Sequence, residues 1–313
     1  MVTGASTADA AVVLVDASRG VTEQSRRHTC VASLLGIPHV VVCVNKMDLV
    51  EHDERVFDAI VEELSDFAAR LDVPDLVFIP ISALHGDNVV TRSERMPWYE
   101  GPPLLYHLEH VHIASDRNLS DRRLPVQWVI EGNGRHMSAG QVAGGVFRPG
   151  DEVVVLPSGR RSRIAAIESH DGPLEHAFPP MAVALALEDG PAPERGELIA
   201  GVGDEAPAVA RELEATVCWM ADRPLAPGAR LLLKHATRTV EAEVASLDHR
   251  LDVETLTREP APPAFELNDI GRLHLLASEP LAHDAYARNR TTGSFILIDR
   301  ETNDTVAAGM LDS

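Results

Sequence analysis

The stretch CVNKMDLV, residues 43–50, decides the fold of the first third of the chain. It overlaps an apolar run, HVVVCV at residues 39–44, whose length is typical of a strand inside a sheet. Similar runs, AVVLV at 11–15 and LVFI at 76–79, are separated from it by segments of helical length. Strands that alternate with helices predict right-handed crossovers and a parallel sheet. The unbroken apolar run at 11–15 predicts a strand buried on both faces.

Helices are predicted in the segments between these strands. Thr22 is a candidate N-cap for the first helix, which Gly36 and Pro38 end. The second helix is predicted over residues 53–71, where apolar side chains recur on one face.

Beyond residue 113 the sequence changes character. A polar segment, SDRNLSD at residues 115–121, is typical of a linker. Short apolar runs separated by Gly, Pro and Asp turns then follow, at the spacing of small antiparallel barrels. We therefore predict an α/β domain with a parallel sheet at 1–113, a linker at 114–124, and two antiparallel β-barrels at 125–207 and 208–313.

Composition excludes several classes of protein. A hydrophobic fraction of 45% and a charged fraction of 24% are those of a soluble globular chain. No apolar stretch reaches the roughly 20 residues that a membrane span needs, and the first residues lack the basic region of a signal peptide. The three cysteines form no C-x-x-C pair, which suits a reducing compartment, so we expect a cytoplasmic protein. The net charge of -20 argues against nucleic acid as a partner.

Polar residues follow each predicted strand, where the carboxyl ends of parallel strands meet at one edge. Asp16 ends the first strand, Asn45-Lys-Met-Asp48 follows the second, and Ser82-Ala83-Leu84 follows the third. The N-K-x-D pattern is the one that recognises guanine in GTP-binding proteins. An ordinary polar turn is the alternative for the tetrapeptide alone. The Ile-Ser-Ala-Leu segment after the next strand favours the functional interpretation.

The residue types match the chemistry of guanine. The Asp48 carboxylate can accept from the ring N1–H and the exocyclic amine, and adenine offers no matching donors. Lys46 can lay its aliphatic stem along one ring face while its ammonium stays solvated. Asn45 would brace the loop, and a backbone N–H near Ala83 could donate to guanine O6. Leu84 would complete the base pocket.

The phosphate-binding half of such a site is missing from the sequence. A phosphate loop needs G-x-x-x-x-G-K-[ST], but the only two lysines, Lys46 and Lys234, each follow a residue other than glycine. The segment from Asp16 to Gly20 is one residue too long for D-x-x-G. We therefore expect poor GTP binding and assign no catalytic residue. Histidines at 107, 110 and 112 are better explained as solvated helix-end residues than as a zinc site.

Across nearly its whole length the chain resembles the large, GTP-binding subunit of bacterial sulfate adenylyltransferase, a relative of elongation factor Tu. The segments that carry the resemblance are MVTGAS (1–6), EQSRRH (23–28), VNKMD (44–48), ISALHGDNV (81–89), MPWYEG (96–101), GDEVVVLPSG (150–159) and NRTTGSFILID (289–299). The two barrel segments favour sulfate activation over translation.

The resemblance implies an incomplete P-loop GTPase domain, lacking roughly its first 100 residues, followed by two β-barrels. It implies GTP as the ligand, with Asn45, Lys46 and Asp48 selecting guanine and Ser82, Ala83 and Leu84 completing the base pocket. Mg²⁺ is expected in full-length relatives, but no residue of this sequence matches its ligands. The implied partner is a small catalytic ATP-sulfurylase subunit, with an adenylyl-sulfate kinase fused or separate in some relatives.

In such a pair the small subunit would form adenylyl sulfate from ATP and sulfate, driven by GTP hydrolysis on the large subunit. Two other functions stay open. One is a translation elongation factor that binds aminoacyl-tRNA, against which the net charge of -20 argues. The other is a non-enzymatic remnant whose barrels still dock the catalytic subunit.

Overall fold

A computed structural model describes the chain over residues 8–71, 73–112, 118–132 and 135–312. The segment at 1–6 that carries part of the resemblance, and residues 113–117 around the start of the predicted linker, lie outside these ranges. The chain divides into two compact units, Met1–Asp116 with Asp252–Thr257 and Arg117–Leu251 with Arg258–Ser313. The predicted fold class is confirmed, since a parallel α/β layer precedes two closed antiparallel barrels.

The first unit contains a three-stranded parallel sheet with strand order β1-β2-β3. Its strands are β1 (Ala10–Asp16), β2 (His39–Asn45) and β3 (Asp75–Pro80). Asp16 lies beside Asn45 in register, and Val44 lies beside Pro80. All three carboxyl ends therefore lie at one edge of the sheet, as predicted.

Three α-helices accompany this sheet: α1 (Glu23–Leu34), α2 (Glu54–Ala68) and α3 (Leu104–His110). Thr22 caps α1 as predicted, since its hydroxyl accepts a hydrogen bond from the Ser25 amide at 3.3 Å. Asp53 caps α2 by accepting from the Arg55 amide at 2.9 Å. Helix α2 ends at Ala68, three residues before its predicted end. None of the helices in the described ranges is long and apolar enough to span a membrane.

The central and edge strands of the sheet differ in burial. In β2 the five residues from Val40 to Val44 are all buried. In β1, Val13 and Val15 are buried, but Val12 is 44% exposed and Leu14 is 59% exposed. The prediction that this strand is buried on both faces is therefore wrong. The reason is that no described element covers the face that carries Val12 and Leu14.

The second unit begins with a closed barrel of six antiparallel strands. They are arranged in the order β6-β10-β4-β5-β9-β7, and pairing of β6 with β7 closes the barrel, while the short β8 extends the β7 side. Phe147 and Ile164 lie in its apolar interior. The strands are β4 (Arg123–Gly132), β5 (Arg135–Gln141), β6 (Glu152–Leu156), β7 (Arg160–Ser169), β8 (Gly172–Pro173), β9 (Ala182–Leu187) and β10 (Leu198–Gly201).

A second six-stranded barrel follows, in the order β12-β16-β17-β11-β15-β13, closed by pairing of β12 with β13. Trp219, Phe265 and Phe295 lie in its core. The strands are β11 (Ala208–Trp219), β12 (Arg230–His235), β13 (Arg238–Leu251), β14 (Arg258–Pro260), β15 (Ile270–His283), β16 (Ser294–Ile298) and β17 (Thr305–Leu311). Strands β13 and β15 have 14 residues each, longer than the short strands predicted. Two bulges where β13 pairs with β15 bend β13, so that it continues around the barrel as one long strand.

A buried ion pair joins the two barrels. Arg123, at the start of β4, is 0% exposed, and Asp284 directly after β15 is also buried. The Arg123 guanidinium donates to both carboxylate oxygens of Asp284 at 2.9 Å, through Nε and Nη2. Thr292 donates its hydroxyl to the same carboxylate at 2.5 Å. The charge of Arg123 is thus fully compensated inside the unit.

The segment that follows Asp284 makes further contacts with the first barrel. Asn289 donates its side-chain amide to the Ala143 carbonyl at 3.0 Å. Arg288 donates to the Asp121 carboxylate at 2.8 Å. Asn289 also begins the segment NRTTGSFILID that carries part of the family resemblance. Part of that signature therefore lies where the two barrels meet.

Removing one partner of the buried pair should destabilise the unit strongly. We expect Asp284→Asn to lower the free energy of unfolding by about 3–5 kcal/mol, because it leaves a buried guanidinium uncompensated. Urea denaturation followed by tryptophan fluorescence measures this loss. Glu243→Gln is the control, since it breaks the exposed pair Arg230–Glu243 and should cost less than about 1 kcal/mol. Equal losses in the two variants would contradict the assigned role of the buried pair.

His283 lies next to this network in the chain and is buried with 1% exposure. Neither of its ring nitrogens has a hydrogen-bond partner among the residues that the structure describes. Burial and, to a smaller extent, the neighbouring His235 lower the pKa of His283 from 6.5 to about 4. The ring of His235 in turn bonds the Thr292 carbonyl at 2.7 Å. His283 is therefore neutral in the folded chain at pH values where the unfolded chain protonates it.

Acidification should therefore destabilise the second unit through His283. The unfolded histidine binds a proton below pH 6.5, while the folded one stays neutral until about pH 4. Stability is lost as the pH falls between these values, by about 2 kcal/mol at pH 5 for this residue. Between pH 7 and pH 5, the free energy of unfolding should fall by about 2 kcal/mol less in His283→Phe than in the wild type. Urea denaturation at both pH values checks this, and identical losses would show that His283 does not titrate in this range.

Candidate functional site

The candidate site lies at the carboxyl edge of the parallel sheet, where backbone hydrogen bonds join the loops after the three strands. The Ala17 amide donates to the Asn45 carbonyl at 2.8 Å, which ties the end of β1 to the end of β2. The Met47 amide donates to the Ile81 carbonyl at 3.2 Å, which ties the loop after β2 to the loop after β3. The predicted site residues are therefore held close together.

Asn45 braces the two loops that carry the site. Its side-chain oxygen Oδ1 accepts from the Lys46 amide at 2.7 Å and from the Ala83 amide at 3.0 Å. This bridging contact is the one that the sequence predicted for Asn45. The sequence predicts that a backbone N–H near Ala83 can donate to guanine O6, and the amide of Ala83 itself donates to Asn45. Leu84, the next residue, is 81% exposed at the same loop.

Asp48 is held by the loop after β3. It lies in a short 3-10 helix, Met47–Val50, that follows directly on β2. The fully buried Ser82 donates its hydroxyl to Asp48 Oδ1 at 2.6 Å. This hydrogen bond is the main reason that the pKa of Asp48 lies below its usual value. Asp48 is therefore an ionised acceptor with a fixed orientation.

Lys46 is held at both its backbone and its side chain. Its backbone is in the left-handed region, with φ of 64°, which non-glycine residues seldom adopt. Its ammonium Nζ lies 2.6 Å from Asp16 Oδ2. The sequence predicts Asp16 only as the end of the first strand, so its pairing with Lys46 comes from the structure. The pair joins the ends of β1 and β2 on the side of Asn45 away from β3.

The six predicted residues thus form one continuous edge. Five of them take part in hydrogen bonds that link the loops, namely Asn45, Lys46, Asp48, Ser82 and Ala83. The edge presents a carboxylate acceptor beside an aliphatic lysine stem and the exposed Leu84. Such a set can recognise a flat heterocycle that offers two adjacent donors.

The histidine cluster near α3 has a structural explanation in part. His110 bonds the Tyr106 carbonyl through Nδ1 at 2.8 Å and stacks on the Tyr106 ring at 3.9 Å. Within the described ranges, no group of three or more His, Cys, Asp or Glu side chains is arranged to hold a metal ion.

Two family models match the chain. The model described as elongation factor Tu GTP binding domain matches residues 1–121. The model described as GTP-eEF1A C-terminal domain-like matches residues 212–312. The first contains the candidate edge, and the second covers the second barrel except for the first residues of β11.

Curated relatives match nearly all of the chain. The bifunctional enzyme CysN/CysC of Mycobacterium tuberculosis is 57% identical over 99% of this chain and 52% of its own length. Sulfate adenylyltransferase subunit 1 of Laribacter hongkongensis is 48% identical over 100% of this chain and 65% of its own length. The corresponding subunit of Alteromonas mediterranea is 46% identical over 99% of this chain and 66% of its own length. The chain thus spans between about half and two thirds of these relatives.

Solved structures with the same fold include Sup35 complexed with GDP. It aligns with a TM-score of 0.58 at 23% identity, over 100% of this chain and 80% of its own. At this identity the likeness shows the fold alone.

Proposed function

Because the chain belongs to the family of sulfate adenylyltransferase subunit 1, we propose that it carries the guanine-recognising part of a GTP-binding subunit. In this proposal the complete subunit couples GTP hydrolysis to the formation of adenylyl sulfate from ATP and sulfate. The residues that select the base are Asn45, Lys46, Asp48, Ser82, Ala83 and Leu84.

The observation that carries the proposal is the fixed carboxylate of Asp48. Ser82 donates to Oδ1 at 2.6 Å, and this contact keeps the carboxylate ionised and oriented. Guanine presents an N1–H and an exocyclic amine side by side, and both can donate to one carboxylate. Adenine has an acceptor at N1 and no amine at C2, and its amine on C6 stands where guanine has a carbonyl oxygen. An ionised acceptor therefore binds guanine and repels adenine.

The residues present fit the base and do not fit the phosphates. Phosphate binding in this fold class uses a glycine-rich loop and its lysine, and neither Lys46 nor Lys234 stands in such a loop. No residue of the chain matches a ligand for Mg²⁺ in the family pattern. We therefore assign this chain no step in GTP hydrolysis and expect weak nucleotide binding when it is isolated.

The partner in this proposal is the small catalytic subunit that forms adenylyl sulfate, in the cytoplasm. The name "subunit 1" of the relatives supports a second subunit, and the name of the bifunctional relative supports an adjoining kinase in some members. The barrels, proposed as domains at 125–207 and 208–313, would supply docking surface for that subunit. Since these relatives are named for sulfate adenylyltransferase, the chain is assigned to sulfate activation rather than to aminoacyl-tRNA delivery.

Base selectivity tests the proposal directly. We expect the chain to bind GMP about tenfold or more tightly than AMP, since a hydrogen bond to a charged group contributes about 1.5–3 kcal/mol. Asp48→Asn should weaken GMP binding and strengthen binding of XMP, because xanthine carries a carbonyl oxygen in place of the amine. NMR titration measures both affinities in the millimolar range.

The matched control is Asp58→Asn, an exposed carboxylate on α2, which should change neither affinity. Equal binding of GMP and AMP by the wild type, or an Asp48→Asn variant that still prefers GMP, would overturn the proposed base site.

A further inference from the structure

Asp16 is oriented by its own turn before it meets Lys46. Ser18 donates its amide at 3.0 Å and its hydroxyl at 2.6 Å to Asp16 Oδ1. The amides of Arg19 and Gly20 both donate to the Asp16 carbonyl at 3.0 Å. These contacts fix the carboxylate, and its other oxygen, Oδ2, bonds Lys46 Nζ at 2.6 Å.

Lys46 is therefore tied at both ends of its side chain. Its amide donates to Asn45 Oδ1, and its ammonium bonds Asp16, whose Cα is paired in register with that of Asn45. The aliphatic stem consequently runs along the sheet edge from the end of β2 towards the end of β1. Asp48, held by Ser82, lies on the β3 side of the same loop.

We propose that Asp16 is a positioning residue for the base site, holding Lys46 so that its stem forms a preformed wall against one face of the purine ring. The inference rests on the proposed function, because it assigns a role within the same guanine site. A lysine without this anchor would have to lose its side-chain freedom each time a base binds. Asp16 removes that entropic cost before binding.

A purely stabilising ion pair explains these contacts less well. The Lys46 side chain is 51% exposed and that of Asp16 is 21% exposed, and such exposed pairs contribute little to folding. The hydrogen bond from Lys46 is also the main cause that lowers the pKa of Asp16, followed by that from Ser18. The carboxylate is therefore charged at neutral pH, as an anchor for an ammonium must be.

Asp16→Asn is the discriminating variant, because the amide oxygen can still accept from Ser18 while the charge is lost. We expect it to weaken GMP binding about fivefold to tenfold, given the rotamer entropy of a free lysine side chain. Binding of IMP, which lacks the exocyclic amine, should weaken by the same factor. The reason is that Lys46 contacts the face of the ring and not the edge that carries the amine. Asp16→Glu keeps the negative charge and should retain most of the wild-type affinity for GMP.

The matched control is again Asp58→Asn, which changes the same charge at an exposed position of the same unit. Asp48→Asn serves as the contrasting variant. It should change the ratio of GMP to IMP affinity, because it alters recognition of the exocyclic amine. A merely structural role of Asp16 would lower thermal stability without giving this pattern.

The chain offers a readout that needs no nucleotide. Lys46 and Lys234 are its only lysines, so selective ¹³C labelling of lysine gives two side-chain signals. Lys234 is exposed on β12 and has no ion pair among the described residues, so it is an internal reference for a mobile side chain. We expect Lys46 to be ordered in the wild type and as mobile as Lys234 in Asp16→Asn.

The outcomes separate the two proposals. Failure of the wild type to prefer GMP over AMP overturns the guanine site and, with it, the role of Asp16. A wild type that prefers GMP, with equal affinity in Asp16→Asn, overturns the role of Asp16 alone. A Lys46 signal as mobile as that of Lys234 in the wild type also overturns it. Loss of binding together with loss of lysine order supports the inference.

Discussion

One carboxamide oxygen holds the candidate edge together. Asn45 Oδ1 accepts from the amides of Lys46 and Ala83, so a single side chain at the end of β2 fixes the loops after both β2 and β3. Those amides lie beyond the sheet ladder and need partners of another kind. With the loops fixed, Ser82 meets Asp48 at 2.6 Å, and the acceptor that distinguishes guanine from adenine acquires its direction. The chemistry of the edge therefore depends on an asparagine that holds both loops in place.

The sequence was sufficient for the architecture and for the residue types of the edge. Buried apolar runs and turn residues are local signals, and strand ends of a parallel sheet converge by geometry. The pair of Lys46 with Asp16 could not be foreseen in the same way. It joins residues 30 apart in the chain, and it depends on a left-handed backbone at Lys46 that a lysine does not signal. The exposed face of β1 could not be predicted either, because an apolar strand has the same sequence pattern whether or not another element covers it.

The same limit applies to the barrels. Arg122 and Arg123 are neighbours of one type, yet Arg123 is fully buried on Asp284 while Arg122 pairs with Asp204 and Asp151. Nothing in the periodicity distinguishes the two arginines, since their partners come from distant parts of the chain. Replacing a buried ion pair by apolar residues is often neutral for stability. We therefore infer that the main role of the Arg123–Asp284 pair is to fix the position of one barrel relative to the other.

The contacts between the two barrels have a mechanical consequence. Arg123 with Asp284, Arg288 with Asp121, and Asn289 with the Ala143 carbonyl act at separate points of one contact. We expect three separated attachments to resist both sliding and twisting of one barrel against the other. A force that displaces the first barrel should therefore displace the second barrel with it.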